Sequence, residues 1–138
     1  MRAGTIAFAL AIATVPATSA AQVSSYHPPR PGSPQRQAII NAIRPAVETE
    51  LGPDIIFVPT CVQVWNGWAL VNAEPRRRGG RKIDPKILAD WDNRDGIDVT
   101  ALLRFRYGRW NLVDHAIGAT DVWYDGTAPR LLMRSRCY

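Results

Sequence analysis

Apolar and polar positions change their rhythm several times along the chain. From Ile40 through Ile43 and Val47 to Leu51 the apolar residues recur at helical spacing. Ser33-Pro34 precedes this run, a serine suited to an N-cap and a proline suited to the first turn. Gly52-Pro53 closes it. Pro45 interrupts the run and predicts a kink or two short helices. From Ile55 to Trp65 the rhythm becomes an alternation rich in branched residues, the pattern of a strand. Asn66-Gly67 is a strong two-residue hairpin signal, and Trp68–Ala73 reads as the return strand. Residues 74–96 read as a long polar connection. IDVTALLRFRY, residues 97–107, predicts a third strand with Val99, Ala101, Leu103, Phe105 and Tyr107 on one face and Arg104 and Arg106 on the other. Gly108-Arg109 turns the chain into a fourth strand that runs to Ile117. The segment from Ala119 to Leu132 has room for a short helix. One helix followed by four strands predicts an α+β fold, an N-terminal helix packed on a four-stranded antiparallel meander. Cystatin-like and nuclear-transport-factor-like domains share this arrangement, an analogy of fold that carries little about function.

The two ends of the chain add context. Arg2, the apolar run Ile6–Ala13 and the small residues Ala17–Ala21 match the three regions of a secretory signal peptide. The expected organisation is a signal peptide over 1–21, a flexible Pro-rich leader over 22–33 and a single α+β domain over 34–138. No other stretch is apolar enough to span a bilayer. A periplasmic or secreted location follows from this reading. It makes a disulfide between Cys61 and Cys137 the expected state of the two cysteines.

The net charge is +5, or +4 once Arg2 leaves with the signal peptide. This favours anionic partners such as phospholipid headgroups, lipopolysaccharide or acidic glycans. Export argues against a nucleic-acid role. The densest positive run is Arg76, Arg77, Arg78, Arg81 and Lys82, interrupted by Gly79-Gly80. Such a loop grips phosphate or sulfate through forked guanidinium contacts; a solvated loop that aids solubility is the alternative. DWDNRDGID, residues 90–98, begins like a calcium-binding loop. The match fails at Arg94, at the glycine one place late, and at Ala101 where a glutamate belongs. No other set of ligands at workable spacing is present, and no cofactor is implied.

Candidate chemistry concentrates in RWNLVDHAIGATDVWYD, residues 109–125. Strand alternation puts Trp110, Leu112, Asp114 and Ala116 on one face and Asn111, Val113, His115 and Ile117 on the other, so Asp114 and His115 do not pair. Asp121, beyond Gly118, is the residue able to fold back onto His115 and orient it as a general base. Thr120, Tyr124 and Ser135 are the nearby hydroxyls, none in a nucleophile-elbow sequence. The alternative is structural: Asp121 caps a helix starting near Val122, and Trp123 and Tyr124 cover the end of the sheet. Trp65, Trp68, Trp110 and Trp123 all fall at strand ends or turns, where they either line a cleft for sugars or peptides or form ordinary core.

NGWALVNAEP, DVTALLRFRYGRW and AIGATDVWYD, together with the upstream RQAIINAIRP, resemble a group of small exported bacterial proteins. The resemblance covers most of the chain beyond the leader. It implies one compact exported domain and brings no catalytic residue with it. Three functional readings follow. The first, and favoured, is a small exported binding module acting on an anionic envelope component or another envelope protein. The second is a small hydrolase or isomerase using His115 and Asp121. The third is an inhibitor or immunity-type protein that blocks a partner enzyme through its strand-end loops.

Overall fold

The computed structural model describes residues 28–133. Helix α1 (Pro34–Leu51) precedes a four-stranded antiparallel sheet in the order β1 (Ile55–Trp65), β2 (Trp68–Arg77), β3 (Val99–Arg106) and β4 (Arg109–Ile117). A short helix, α2 (Arg130–Met133), ends the described chain. The α+β class and the helix-then-meander order expected above are both present. The signal peptide, residues 22–27 of the leader, and Cys137 with its expected bond to Cys61 lie outside the described residues.

Helix α1 starts where its sequence directs. The Ser33 hydroxyl accepts the Arg36 amide at 3.2 Å, with proline in the first turn. The helix does not break at Pro45 but runs on uninterrupted to Leu51. Pro45 and Asn41 are both exposed, so the carbonyl left without its helical donor faces solvent instead of core. Ile39, Ile40, Ile43, Val47 and Leu51 are all buried. Each contributes roughly 1.5–3 kcal/mol of transfer free energy as an upper figure.

This stripe packs on one face of the sheet against Ile55, Val62, Val64, Ala69, Val71, Ala73, Val99, Ala101, Leu103 and Ile117. The opposite face is also covered. Leu70 and Leu102 are buried there beneath Tyr124, Ala128 and Leu132, with Trp65, Trp68 and Trp123 packed around them. The sheet is therefore a middle layer between α1 and the C-terminal segment. That segment carries a turn, closed by Asp125 N–H on Val122 O at 3.0 Å and Ala128 N–H on Tyr124 O at 2.9 Å, in place of the helix expected near Val122.

Two strand expectations change. β2 continues to Arg77, beyond Ala73, because β1 goes on pairing with it, Ile55 opposite Arg77. Pro75 is tolerated there because β3 has already left at the Ala73–Val99 pair, so no ladder acceptor waits for its missing N–H. The second change is a β-bulge in β4. Leu102 faces Asp114 and Leu103 faces Leu112, which leaves Val113 as the extra residue. The bulge reverses the alternation. Trp110 and Leu112 therefore join His115 and Ile117 on the α1 face, where the uninterrupted pattern had put them on opposite sides.

Both hairpins use two residues with positive φ: Asn66 (46°) and Gly67 (73°), then Tyr107 (55°) and Gly108 (72°). The second turn thus lies one residue earlier than the Gly108-Arg109 turn expected above.

Candidate functional site

The last turn of α1 delivers Glu50 to β4. Glu50 Oε1 lies 2.7 Å from His115 Nε2, and Glu50 Oε2 lies 3.9 Å from Arg94. Arg94 is itself held by Asp90 at 2.8 Å and donates to the Ile117 carbonyl at 2.8 Å. The Arg94 guanidinium beside Asp90 is the main cause holding that carboxyl below its ordinary range. Asp114 is spent on the backbone, its Oδ1 accepting the His115 amide at 2.8 Å. The ring nitrogen of His115 is thus partnered by Glu50, while Asp121 lines a basin formed with Thr60, Asn72 and Thr100, away from the α1 face. His115 lines none of the three cavities described here.

That basin, of about 310 Å³, is bounded by Thr60, Asn72, Asp95, Asp98, Thr100, Gly118, Asp121 and Tyr124. Four separate stretches of chain build it. Its rim is clamped by two backbone bonds, Asp95 N–H to Gly118 O at 2.9 Å and Gly118 N–H to Asp98 O at 2.8 Å. Gly118 has φ +61°, and a Cβ there would sit 2.3 Å from Gly96 O. Only glycine allows this approach. Desolvation, followed by the charges of Glu74 and Asp95, pushes the Asp98 carboxyl above its ordinary range. The Tyr124 residue is 2% exposed, and among the described residues its hydroxyl has no hydrogen-bond partner. Among the described residues, no three His, Cys, Asp or Glu side chains are grouped so as to hold a metal ion.

The basic run divides its labour. Arg76 pairs with Glu74 at 2.7 Å, and this bond holds the Glu74 carboxyl below its ordinary range. Arg77 donates to the carbonyls of Leu51 and Pro53 and so closes the C-terminal end of α1. Arg78 reaches Asp54 at 3.3 Å but stays 85% exposed. Arg81 and Lys82 are exposed at the loop end. Arg77, Arg78 and Arg81 border a groove of about 460 Å³ that also includes Leu51, Pro53 and Ile87. Exposed Ile87, on the groove, and exposed Trp91 flank Lys86, whose ammonium lies 5.6 Å from the Trp91 ring.

The four tryptophans named from the sequence do not share a cleft. Trp110 is buried on the α1 face, edge-on to Phe105 at 5.3 Å. Trp65, Trp68 and Trp123 pack on the other face, where Arg104 stacks 4.6 Å from the Trp68 ring. Trp91 is the exposed one, and its place in an acidic turn hid it from the sequence reading. Glu50, Thr60, Asn72 and Thr100 were missed for lack of any local motif. The helical spacing of Val47 and Leu51 could have flagged Glu50 as a border position.

A third cavity, of about 370 Å³, lies where α1 meets the outer edge of β1, lined by Pro31, Arg36, Ile40, Arg44, Ile56 and Phe57. Two arginines close that edge: Arg44 donates to the Ile55 carbonyl, and Arg36 donates to the Pro59 carbonyl at 3.4 Å. Arg36 also donates to Pro29 O at 3.3 Å, which ties the end of the leader to the helix.

No protein-family model matches the chain, and neither the curated proteins nor the solved structures contain a significant match to it.

Proposed function

We propose that this protein is an exported binding module that engages an anionic component of the cell envelope through the segment 76–94. One observation carries the reading: exposed Ile87 and Trp91 share that segment with exposed Arg78, Arg81, Lys82 and Lys86. The segment holds seven cations against three carboxylates. Apolar side chains beside cations suit a surface that offers phosphate or sulfate at its boundary and acyl or ring carbon beneath. The Arg77 anchor holds the loop against the end of α1, which lowers the ordering cost of binding. Cys61 sits on β1, the strand that α2 contacts, so a bond to Cys137 would tether the C-terminal segment across the sheet. Loop-closure entropy would make that bond worth up to about 4 kcal/mol.

Sedimentation with vesicles tests the reading. The protein should pellet with phosphatidylglycerol vesicles and not with phosphatidylcholine vesicles, and salt should release it. Replacing Arg78, Arg81 and Lys82 together by alanine should abolish pelleting without changing the fold. Equal binding to both vesicle types would sink the proposal.

A second reading, an inhibitor that wedges into a partner, rests on Tyr107. It is 94% exposed at the tip of the β3–β4 hairpin and holds φ +55°, a conformation that costs a non-glycine residue about 1–2 kcal/mol. Tyr107→Gly should stabilise the fold yet weaken capture of any partner enzyme recovered with the wild type.

A further inference from the structure

The outer edge of β1 is sealed at Ile55 and at Pro59 and open between them. Arg77 turns its N–H away from β1, to the Arg81 carbonyl, and Pro75 has no N–H to give. Their ladder partners Ile55 and Phe57 therefore stand in non-hydrogen-bonded pairs and direct their own N–H and C=O outward. Pro59, two residues on in the same register, does likewise with its carbonyl. Side chains of α1 close both flanks. Ile55 N–H donates to Glu48 Oε1 at 3.2 Å, and the Ile55 carbonyl accepts from Arg44. Pro59 has no N–H, and its carbonyl accepts from Arg36 at 3.4 Å. Phe57 alone keeps an outward N–H and C=O that no group among the described residues takes.

Phe57 also lines the cavity of about 370 Å³ between α1 and this edge, a size within the range of small-ligand sites. Ile40, Ile56 and Phe57 give the cavity an apolar wall, Arg36 and Arg44 border it, and none of its lining residues is acidic. Arg44 shares its charge with Glu48 at 3.5 Å, whereas among the described residues no ion pair reaches Arg36. A free N–H and C=O on one outward residue match one residue of an extended peptide, which exchanges both bonds with it. The seals at Ile55 and Pro59 stop a strand from pairing further, so the guest that loses least is one that ends there. A chain end brings its own carboxylate, and the guanidiniums at the two flanks suit that charge.

We propose that this cavity captures the C-terminal residues of an extended peptide. Phe57 pairs with its backbone, Arg36 and Arg44 receive its terminal carboxylate, and Ile40 and Phe57 accept an apolar last side chain. The site is separate from the segment 76–94 and does not depend on the reading given for that surface.

Calorimetric titration of the full protein with acetyl-Gly-Val-Leu and acetyl-Gly-Val-Phe, both as free acids, tests the proposal. At least one should bind with one-to-one stoichiometry. Its C-terminal amide should bind about tenfold more weakly or worse, since it lacks the charge. 3-Phenylpropionate, a carboxylate without a peptide backbone, should also bind at least about tenfold more weakly. Arg36→Gln should weaken the free acid by about tenfold. In wild-type protein, amide exchange at Phe57 should slow when the peptide saturates the site; this readout decides the matter even if Arg36→Gln does not fold. No binding by either free acid, equal binding of the amide or of phenylpropionate, or an unchanged Phe57 amide would each overturn the proposal. An affinity unchanged in both Arg36→Gln and Arg44→Gln would do the same. Vesicle sedimentation of Arg36→Gln should match the wild type, which separates this site from the surface at 76–94.

Discussion

Glu50 and His115 are 65 residues apart in sequence, yet their side chains meet at 2.7 Å and join the last turn of α1 to β4. The contact is half-enclosed, with side-chain exposures of 34% for Glu50 and 19% for His115. Removing Glu50 leaves His115 without this partner and detaches Arg94 from the helix. Glu50→Ala should cost about 1–2 kcal/mol in urea denaturation. A double-mutant cycle with His115→Ala should give a coupling of about 0.5–1.5 kcal/mol. A coupling near zero would mean that the pair contributes nothing in solution.

Gly118 is the position where a single methyl does the most damage. An added Cβ would meet Gly96 O at 2.3 Å and the Arg94 Cβ at 2.9 Å, in a backbone already at φ +61°. Gly118→Ala should lose about 2–3 kcal/mol, from left-handed strain and overpacking together. Amide exchange should rise first at Asp95 and Gly118, whose bonds clamp the basin. A stability equal to wild type would show that the rim yields freely.

Asp98 gives a pH signature of unusual sign for a carboxylate. Its folded-state pKa is raised above the ordinary 3.8, so the folded protein holds this proton more tightly than the unfolded chain does. Its contribution is fully present below 3.8 and is lost as pH rises through the folded value. Asp98→Asn should therefore stabilise the protein at neutral pH, by under about 1 kcal/mol after solvent screening. The gain should vanish below pH 3.8. Asp90 and Glu74 behave oppositely, since Arg94 and Arg76 lower their pKa values and their contributions fade as pH falls through those lowered values. Thermal melts of Asp98→Asn across the acid range check the sign; a destabilised variant at neutral pH would contradict it.

The outer edge of β1 offers a fourth test. Arg36 and Arg44 occupy carbonyls there that a foreign strand would otherwise seek, while Ile56 and Val58 of the same strand are exposed. Replacing both arginines by alanine should make association depend more steeply on concentration than in the wild type, as read by sedimentation velocity. An unchanged profile would assign the edge's protection to the neighbouring segment 28–33.

Much of the frame is legible in the residues. Ile55–Trp65 announces itself by alternation, Asn66-Gly67 by the φ values it tolerates, and Ser33-Pro34 by capping chemistry. What escapes depends on pairing across distance. The Val113 bulge exists only because Leu102 and Leu103 face Asp114 and Leu112, and no local signal at Val113 reveals that. Pro45 is a break in sequence but a surface residue in the helix. Asp121 and Tyr124 were visible as polar groups in a turn, whereas Thr60, Asn72 and Thr100 become their neighbours only once three strands and the C-terminal segment have assembled.

The two-sided covering of the sheet also sets an order of events. Leu70 and Leu102 find their cover in Tyr124, Ala128 and Leu132, close to the end of the described chain. While residues 118–133 are still inside a ribosome, α1 and the strands can meet only along one face, and the other stays wet. That face therefore stays open until residues 124–132 emerge, so synthesis of the four strands runs ahead of the burial of Leu70 and Leu102.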